Sequence, residues 1–238
     1  MNNLTLAITV WQRIYNATIN KNFYTLYISG IGVVFSVAIG ACMLGIILGS
    51  LVAYARIAPQ DKLINRILAR VCKVYVTFIR GMPLAILLLI MYYIVLSSMK
   101  TVWNGILIGI ITFGLNSGAY VSEILRGGIS AVDKGQLEAG RSLGFTWGQS
   151  MTRIVLPQGI KSTVPSLFNE FIMLVKETSI LGFVGIVDLT KGAQMVISQT
   201  YDVYVPYLLI ATIYLIIILL LEQVQKRIER RLGKGDRN

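Results

Sequence analysis

The sequence predicts an all-α integral membrane protein with five transmembrane helices, in the cell membrane, with its N-terminus outside and its C-terminus in the cytoplasm. Composition, charge-free stretches and the distribution of basic residues lead to this fold class. Of the 238 residues, 55% are hydrophobic and 14% are charged, and mean hydropathy is +0.69. Because a soluble domain carries roughly a quarter of its residues as charges, this composition excludes an ordinary cytosolic enzyme, a disordered tail and a secreted disulfide scaffold.

Four charge-free stretches are long enough to cross a bilayer. Between Lys21 and Arg56 there are 34 uncharged residues, and between Arg80 and Lys100 there are 19. A further 22 lie between Lys100 and Glu123, and 19 lie between Asp202 and Glu222. At about 1.5 Å per helical residue, each spans roughly 28 Å or more, against a hydrocarbon core of about 30 Å. Pro83 stands near the start of the second stretch, where we expect it to kink or begin a helix.

A fifth, more polar span is predicted from the distribution of cations. With five spans, 17 Lys and Arg residues lie inside and 4 outside, as the positive-inside rule requires; with four, the basic tail would lie on the same side as Lys100. The predicted spans are residues 28–55, 81–99, 101–122, 165–187 and 203–221, within a membrane domain over 28–222. They leave an external segment at 1–27, a cytoplasmic loop at 123–164 and a basic cytoplasmic tail at 223–238.

Small residues in the third span offer a contact surface for another helix. Gly105, Gly109, Gly114 and Gly118 recur at spacings of four or five residues. Such spacing lets two helices approach closely, although in an isolated span it is equally compatible with no specific packing.

The cytoplasmic loop is the most informative segment. Residues 136–143 favour a short helix, and Gly144 is placed to end it. From the residues alone, this segment is either a solvated connector or a protruding element that docks on another protein.

The loop resembles the signature of binding-protein-dependent ABC importer permeases: Glu-Ala-Ala, three residues, Gly, nine residues, then Ile-x-Leu-Pro. Here the signature consists of Glu138, Ala139, Gly140, Gly144, Ile154, Leu156 and Pro157. Gly140 stands where Ala is usual, which softens the helix but keeps Glu138 and Gly144 in register. The flanking sequences, such as Lys176-Glu177-Thr178-Ser179-Ile180, narrow the resemblance to the polar amino-acid branch. It extends over about residues 28–230 and includes Arg80-Gly81-Met82-Pro83, where Thr is usual at Met82.

The resemblance implies a type I ABC importer transmembrane domain whose loop is a coupling helix that docks on a cytosolic ATPase. The implied coupling residues are Glu138, Ala139, Gly140, Arg141, Leu143, Gly144, Ile154, Leu156 and Pro157. Leu143 suits an apolar contact, and Glu138 and Arg141 suit charge pairing at i and i+3. The implied partners are a second permease copy or paralogue, two ATPase subunits, an external solute-binding protein, membrane lipid and an amino-acid substrate; no nucleic acid is expected.

The chain itself lacks a phosphate-binding loop, because Lys234 in Gly233-Lys234-Gly235 is followed by neither Ser nor Thr. We therefore expect no cofactor on this chain and no enzymatic activity of its own. ATP and Mg²⁺ are expected on the partner ATPase.

The fourth span carries three charges, whose insertion costs roughly 7 to 10 kcal/mol together if each lies near the bilayer centre. Its polar side must therefore face partners or a wet cavity. Glu170 and Glu177 are seven residues apart and share one face; counted from an inner end at Pro165, Glu177 lies near the midplane. The predicted substrate path consists of Glu170, Lys176, Glu177, Thr178 and Ser179. The alternative is an internal ion pair between Lys176 and a glutamate that only fixes helix packing.

Two other function classes compete with the importer hypothesis. A channel or ion-coupled carrier without an ATPase explains the composition but not the loop signature. An intramembrane enzyme is disfavoured because the sequence has no histidine and no metal-ligand spacing.

Overall fold

The computed structural model describes residues 3–99 and 102–234, and all regular structure within them is helical. The predicted boundary residue Lys100 and the last four residues of the tail lie outside the described residues. The helices are α1 (Asn3–Thr18), α2 (Tyr24–Ile57), α3 (Leu63–Gly81), α4 (Leu84–Ile90), α5 (Val102–Ser130), α6 (Lys134–Ser142), α7 (Trp147–Ser150), α8 (Leu156–Glu177), α9 (Leu189–Thr200) and α10 (Tyr204–Lys234). Short 3₁₀ turns occupy Asn20–Asn22, Ser97–Met99 and Thr178–Val184, and π turns occupy Met91–Val95 and Met151–Val155.

Three of the described helices are long and apolar enough to cross a membrane alone. These segments are Asn20–Ile57, Gly105–Ser130 and Tyr204–Leu232; the first contains the first predicted span, and the other two overlap most of the third and fifth. A fourth crossing is possible through the pair Leu63–Gly81 and Leu84–Val95, which bends by 107°. Pro83 lies at this bend and precedes α4, as the sequence predicted.

The segment predicted as the fourth span is not one continuous helix. α8 begins at Leu156 rather than at Pro165, which lies inside it, and ends at Glu177. A 3₁₀ turn then continues to Val184, and Gly185 follows with φ +80°. The sequence placed Glu177 near the midplane by counting residues from Pro165. Because the helix begins nine residues earlier, at Leu156, that starting point was wrong.

α3 lies almost wholly between the first and second predicted spans, where the sequence predicted no helix. Its basic residues interrupt every long uncharged stretch, so a charge-free window cannot detect it. The cations Arg66, Arg70 and Lys73 instead recur three or four residues apart, and this spacing gathers them on one side of a helix.

The core rests on a long contact between α2 and α5. Gly114 meets Leu44, and Gly118 meets Leu48, at distances that leave little room for larger side chains. A Cβ at Gly49 would lie 2.6 Å from Val121 Cγ1 and 2.9 Å from the Gly118 carbonyl oxygen. The close approach that the glycine spacing of the third span predicted is therefore present.

The helix pair α5–α8 makes a second close contact near the cytoplasmic loop. A Cβ at Gly128 would lie 2.1 Å from Thr163 Cγ2, and one at Gly159 would lie 2.9 Å from the Ile129 α-carbon. The two helix backbones therefore nearly touch, and this contact holds the start of α8 against the end of α5.

A salt bridge attaches α1 to the connection between α9 and α10. Arg13 donates to both carboxylate oxygens of Asp202, from Nε at 2.6 Å and from Nη2 at 2.7 Å. Arg13 also lies 5.7 Å from the ring centroid of Tyr204. The guanidinium lowers the pKa of Asp202 below its ordinary value, because it favours the charged carboxylate.

Replacing Gly49 by Ala should destabilise the protein by about 1–3 kcal/mol, because the added methyl group overpacks the α2–α5 contact. Gly32→Ala is the matched control in the same helix, since nothing lies within 4 Å of a Cβ there. The free energy of unfolding, measured by denaturant titration in detergent micelles, should fall for Gly49→Ala and stay equal or rise for Gly32→Ala. Equal stability of the two variants would contradict the packing described for Gly49.

Candidate functional site

The cytoplasmic loop folds as a helical hairpin that begins with α6. Asp133 caps the helix through its side chain, which accepts a hydrogen bond from the Gly135 amide at 2.7 Å. At the other end, the Phe145 amide donates to the Gly140 carbonyl and the Gly144 amide to the Arg141 carbonyl. This pair of backbone hydrogen bonds forms a Schellman motif. It requires a left-handed residue, and Gly144 supplies it with φ +87°.

The second arm of the hairpin returns against α6. Thr146 and Gln149 form a capping box that begins α7, with bonds of 2.8 and 3.3 Å. The chain then passes through the π turn into α8. A Cβ on Gly140 would lie 2.8 Å from both Ile154 Cδ1 and Ser150 Oγ. Gly140, which stands where the resembling family has Ala, therefore lets α6 lie closer to the returning arm.

The hairpin divides the predicted coupling residues between its surface and its interior. Gly140 is buried, and Ile154 and Leu156 are half-buried at the returning arm and the start of α8. The exposed members are Glu138, Ala139, Arg141, Leu143, Gly144 and Pro157. Leu143 is 78% exposed, an unusual position for a leucine. In this part of the described chain Glu138 and Arg141 form no ion pair with each other, so both charges are available to another molecule.

An apolar cavity of about 350 Å³ lies between the hairpin and the helices above it. Trp147, Met151 and Leu156 line it from the hairpin side, and Ala53 and Leu125 line it from α2 and α5. Apolar side chains of the hairpin and of α2 and α5 therefore face one another around this cavity.

One side of α8 carries polar residues that the rest of the fold leaves uncovered. We define the α8 polar face as Ser166, Asn169, Glu170, Lys176 and Glu177. Ser166, Asn169 and Lys176 are exposed and the two glutamates are half-buried, whereas the opposite side, with Ile172, Leu174 and Val175, is buried. Glu170 and Glu177 lie on the same side of α8, as the sequence predicted.

The other predicted path residues are placed differently. Thr178 is fully buried and its hydroxyl donates to the Val175 carbonyl at 2.7 Å, so it faces the core. Ser179 is half-buried in the 3₁₀ turn. Among the ion pairs of the described residues, none joins Lys176 to Glu170 or Glu177, so the internal ion pair considered as an alternative is absent there.

A cavity lined by several cations lies between α2, α3 and α5. It has a volume of about 470 Å³ and is lined by Arg56, Lys73, Val76, Thr77, Arg80, Gly81, Tyr120 and Glu123. The Arg80 guanidinium lies 5.0 Å from the Tyr120 ring centroid and is close enough to Glu170 to attract its carboxylate. A smaller cavity of about 350 Å³ adjoins Glu170, with Asn169 and Gln225 in its wall.

A charge triad that sequence reasoning missed joins α2 to α5 near the hairpin. Glu123 accepts from Arg56 of α2 and, at 2.7 Å, from Nη2 of Arg126 in its own helix. The pairing of Glu123 with Arg126 could have been found from the i, i+3 spacing. Arg56 is 67 residues from Glu123 along the chain, and no local pattern indicates that contact.

Metal chemistry has no candidate site in the part of the chain that the structure describes. No group of three or more His, Cys, Asp or Glu side chains there could hold a metal ion. The arrangement instead offers an exposed hairpin and a polar helix face that carries two carboxylates.

The comparisons with known proteins identify the family. The profile of the family described as binding-protein-dependent transport system inner membrane component matches residues 45–234. The chain belongs to this family and is therefore a multi-pass inner-membrane permease that works with a binding protein, rather than a channel or carrier that works without one.

Relatives of the chain are named as amino-acid permeases. It is 37% identical over 205 residues to a Rickettsia prowazekii protein provisionally named glutamine transport system permease, covering 86% of this chain and 92% of that one. It is 36% identical over 235 residues to the L-cystine transport system permease of Bacillus subtilis, covering 98% and 97%. The arginine transport system permease of the same organism is 31% identical over 222 residues, covering 93% and 98%.

Solved structures give the same assignment of fold. A crystal structure of an amino acid ABC transporter with histidines has a chain that is 32% identical, with a TM-score of 0.77, and the match covers 97% of this chain and all of that one. An inward-facing methionine ABC transporter matches with a TM-score of 0.73 at 21% identity, over 87% and 96% of the two chains, and supports the fold alone. The chain thus has the type I ABC importer membrane fold.

Proposed function

We propose that this permease imports a polar amino acid by alternating access, driven by separate cytosolic ATPase subunits. The observation that carries the proposal is the α6 hairpin: a compact, capped element that exposes Glu138, Arg141 and Leu143 on a chain without a phosphate-binding loop. Relatives named for glutamine, arginine and cystine support the substrate class. In this proposal ATP and Mg²⁺ bind the ATPase subunits, and an external solute-binding protein delivers the substrate.

The proposed topology has five crossings, with the N-terminus outside and the C-terminus inside. The crossings are α2, the bent pair that ends in α4, α5, α8 with its 3₁₀ turn, and α10. The excess of cations in the segments assigned to the cytoplasm supports this orientation. α8 is not apolar enough to be a crossing alone, so its inclusion depends on a partner for its polar face.

A second permease copy or paralogue is the proposed cover for the α8 polar face. Exposed Asn169 and Lys176 would be costly against lipid, where each charged residue near the bilayer centre costs roughly 2.5 to 3.5 kcal/mol. Two such faces that meet across a wet path would keep these groups hydrated. The substrate path then runs between the two permeases, an arrangement that permits alternating access by movement of one subunit against the other.

Within that path, we assign the substrate ammonium or guanidinium group to Glu170 and Glu177. A carboxylate on a half-buried surface forms strong charge-assisted hydrogen bonds with such a cation, and the two glutamates lie about two helical turns apart along the proposed path. Lys176, Ser179 and the adjacent Arg80 suit the substrate carboxylate. Thr178 is omitted because its hydroxyl is already bonded in the core.

Labelling with an impermeant thiol reagent tests the topology. In a background with Cys42 and Cys72 replaced by Ala, Asn22→Cys and Ser198→Cys should react when the reagent is added outside intact cells. Lys134→Cys and Arg231→Cys should react only after the membrane is permeabilised. External labelling at position 231 in intact cells would rule out five crossings with the N-terminus outside.

Two substitutions in the hairpin test ATPase coupling. Glu138→Lys should reduce uptake at least about tenfold, because juxtaposed like charges cost several kcal/mol at an interface. Gly144→Val should reduce it as well, because a β-branched residue disfavours the left-handed turn. Both uptake and substrate-stimulated ATP hydrolysis should be measured in vesicles that contain the complete complex. Gly148→Val is the control, since nothing lies within 4 Å of a Cβ there. Normal uptake by both hairpin variants would remove the hairpin from the mechanism.

Removing one carboxylate at a time tests the substrate path. Glu170→Gln and Glu177→Gln keep side-chain shape but remove a charge whose hydrogen bonds contribute about 1.5–3 kcal/mol, or roughly 10- to 150-fold in affinity. Substrate affinity and the preference between cationic and neutral amino acids should change while membrane levels stay normal. Glu222→Gln in α10 is the matched control. Unchanged kinetics in both α8 variants would mean that this face only holds the permeases together.

A further inference from the structure

The helix α3 exposes an apolar surface that no other element of the described chain covers. We define the α3 outer face as the seven residues Leu63, Ile64, Ile67, Leu68, Val71, Val74 and Phe78. Their exposed fractions lie between 46% and 69%. Their spacing places all seven on one side of the helix. So large an apolar stripe indicates contact with lipid or protein.

The rest of α3 is already committed to the fold or charged. Val76 and Ile79 are buried against α4 and α5, and the Tyr75 hydroxyl donates to the Leu115 carbonyl at 2.6 Å. A third side carries the exposed cations Arg66, Arg70, Lys73 and Arg80, and α3 contains no acidic residue. Arg66 and Arg70 lie along the edge of the α3 outer face, and no ion pair of the described residues includes them.

The bend after Gly81 determines how α3 can lie in the membrane. α3 and the segment Leu84–Val95 meet at 107°, so the two cannot cross a bilayer in one line. When α4 runs across the membrane beside α5, α3 must run nearly parallel to the surface. The 19 residues of α3 then extend about 28 Å along that surface. Its cations belong to the cytoplasmic side by the distribution of charges in the chain.

The α3 outer face could be covered by a second copy of the chain or by lipid, and the charge of α3 favours lipid. A second copy that paired α3 with α3 would bring the same cationic edge against itself, without any acidic residue on either helix to offset the repulsion. Anionic lipid headgroups offer the opposite charge at the same level at which arginine side chains extend from an apolar face. An apolar face bordered by arginines is typical of helices that lie in the membrane interface.

We propose that α3 is an interfacial helix that binds anionic phospholipid in the cytoplasmic leaflet. The α3 outer face lies among the upper acyl chains, and Arg66 and Arg70 contact the headgroup phosphates. The packed side, with Val76 and Ile79, transmits the position of the helix to α4 and α5.

Fluorescence quenching by brominated lipid tests the proposal on the full-length permease in vesicles. Trp11, Trp103 and Trp147 are replaced by Phe, and a single reporter is introduced as Val74→Trp. The vesicles are phosphatidylcholine in which about a third of the lipid carries brominated acyl chains, either as phosphatidylcholine or as phosphatidylglycerol. Brominated phosphatidylglycerol should quench the reporter more strongly than brominated phosphatidylcholine. Because each cation near an anionic surface contributes about fivefold in binding, Arg66→Gln with Arg70→Gln should lower that preference at least about threefold.

Two controls accompany the measurement. Thr77→Trp, on the cationic side of the same helix, should be quenched far less than Val74→Trp by either lipid. Arg227→Gln with Arg230→Gln, in the basic part of α10, should leave the preference at position 74 unchanged. The amount of folded permease and its thermal stability establish that each variant is intact.

Each remaining outcome contradicts the proposal in a different way. A reporter with blue-shifted emission that neither lipid quenches would show that protein, such as a second copy, covers the α3 outer face. A red-shifted reporter would place α3 in water. Equal quenching by both lipids, unaffected by loss of the arginines, would show apolar contact without selection of anionic lipid.

Discussion

The close approach of α2 and α5 is the constraint on which the remaining structure depends. In a membrane, helices gain little from hiding apolar surface, since lipid is equally apolar, so they associate where backbones can come together. Gly49, Gly114 and Gly118 provide that contact here. Once α5 is fixed against α2, its cytoplasmic end is fixed too, and the contact of Gly128 with Thr163 fixes the start of α8. The hairpin therefore connects two helices, α5 and α8, that are held in place by these contacts.

These contacts explain why the polar residues of α8 are uncovered whereas most of α5 is buried. α5 occupies the interior of the single chain, whereas α8 gives one side to α5 and leaves its polar face uncovered. A protein stable by itself would turn Glu170 and Asn169 inward; a subunit of an assembly can leave them for a partner. The buried side of α8 and the α2–α5 contact supply the stability of the fold, so the uncovered face need not contribute to it within the single chain.

Most of the fold could be predicted from composition and charge spacing, because α2, α5 and α10 are long apolar helices between charges. α3 could not, since cations at every third or fourth residue hide an amphipathic helix from any search for uncharged stretches. Nor could the end of α8 at Glu177, which depends on tertiary contacts of the following turn. In the candidate site, the helix-favouring residues 136–143 predicted the short helix, and Gly144 predicted the turn that ends it. The contact of Arg56 with Glu123 joins residues far apart in sequence, and only the assembled helices reveal it.

The bend at Pro83 also bears on the thickness of the surrounding bilayer. In the proposed topology the segment from Leu84 to Met99 crosses without α3, and its 16 residues extend only about 24 Å as a helix. The hydrocarbon region is about 30 Å thick. Lipids beside this segment must therefore compress, or the segment must draw its polar ends inward, at a cost of fractions of a kcal/mol per ångström. In that topology one side of the permease is mismatched to a bilayer of ordinary thickness, so acyl-chain length is a physical variable to which this side should respond.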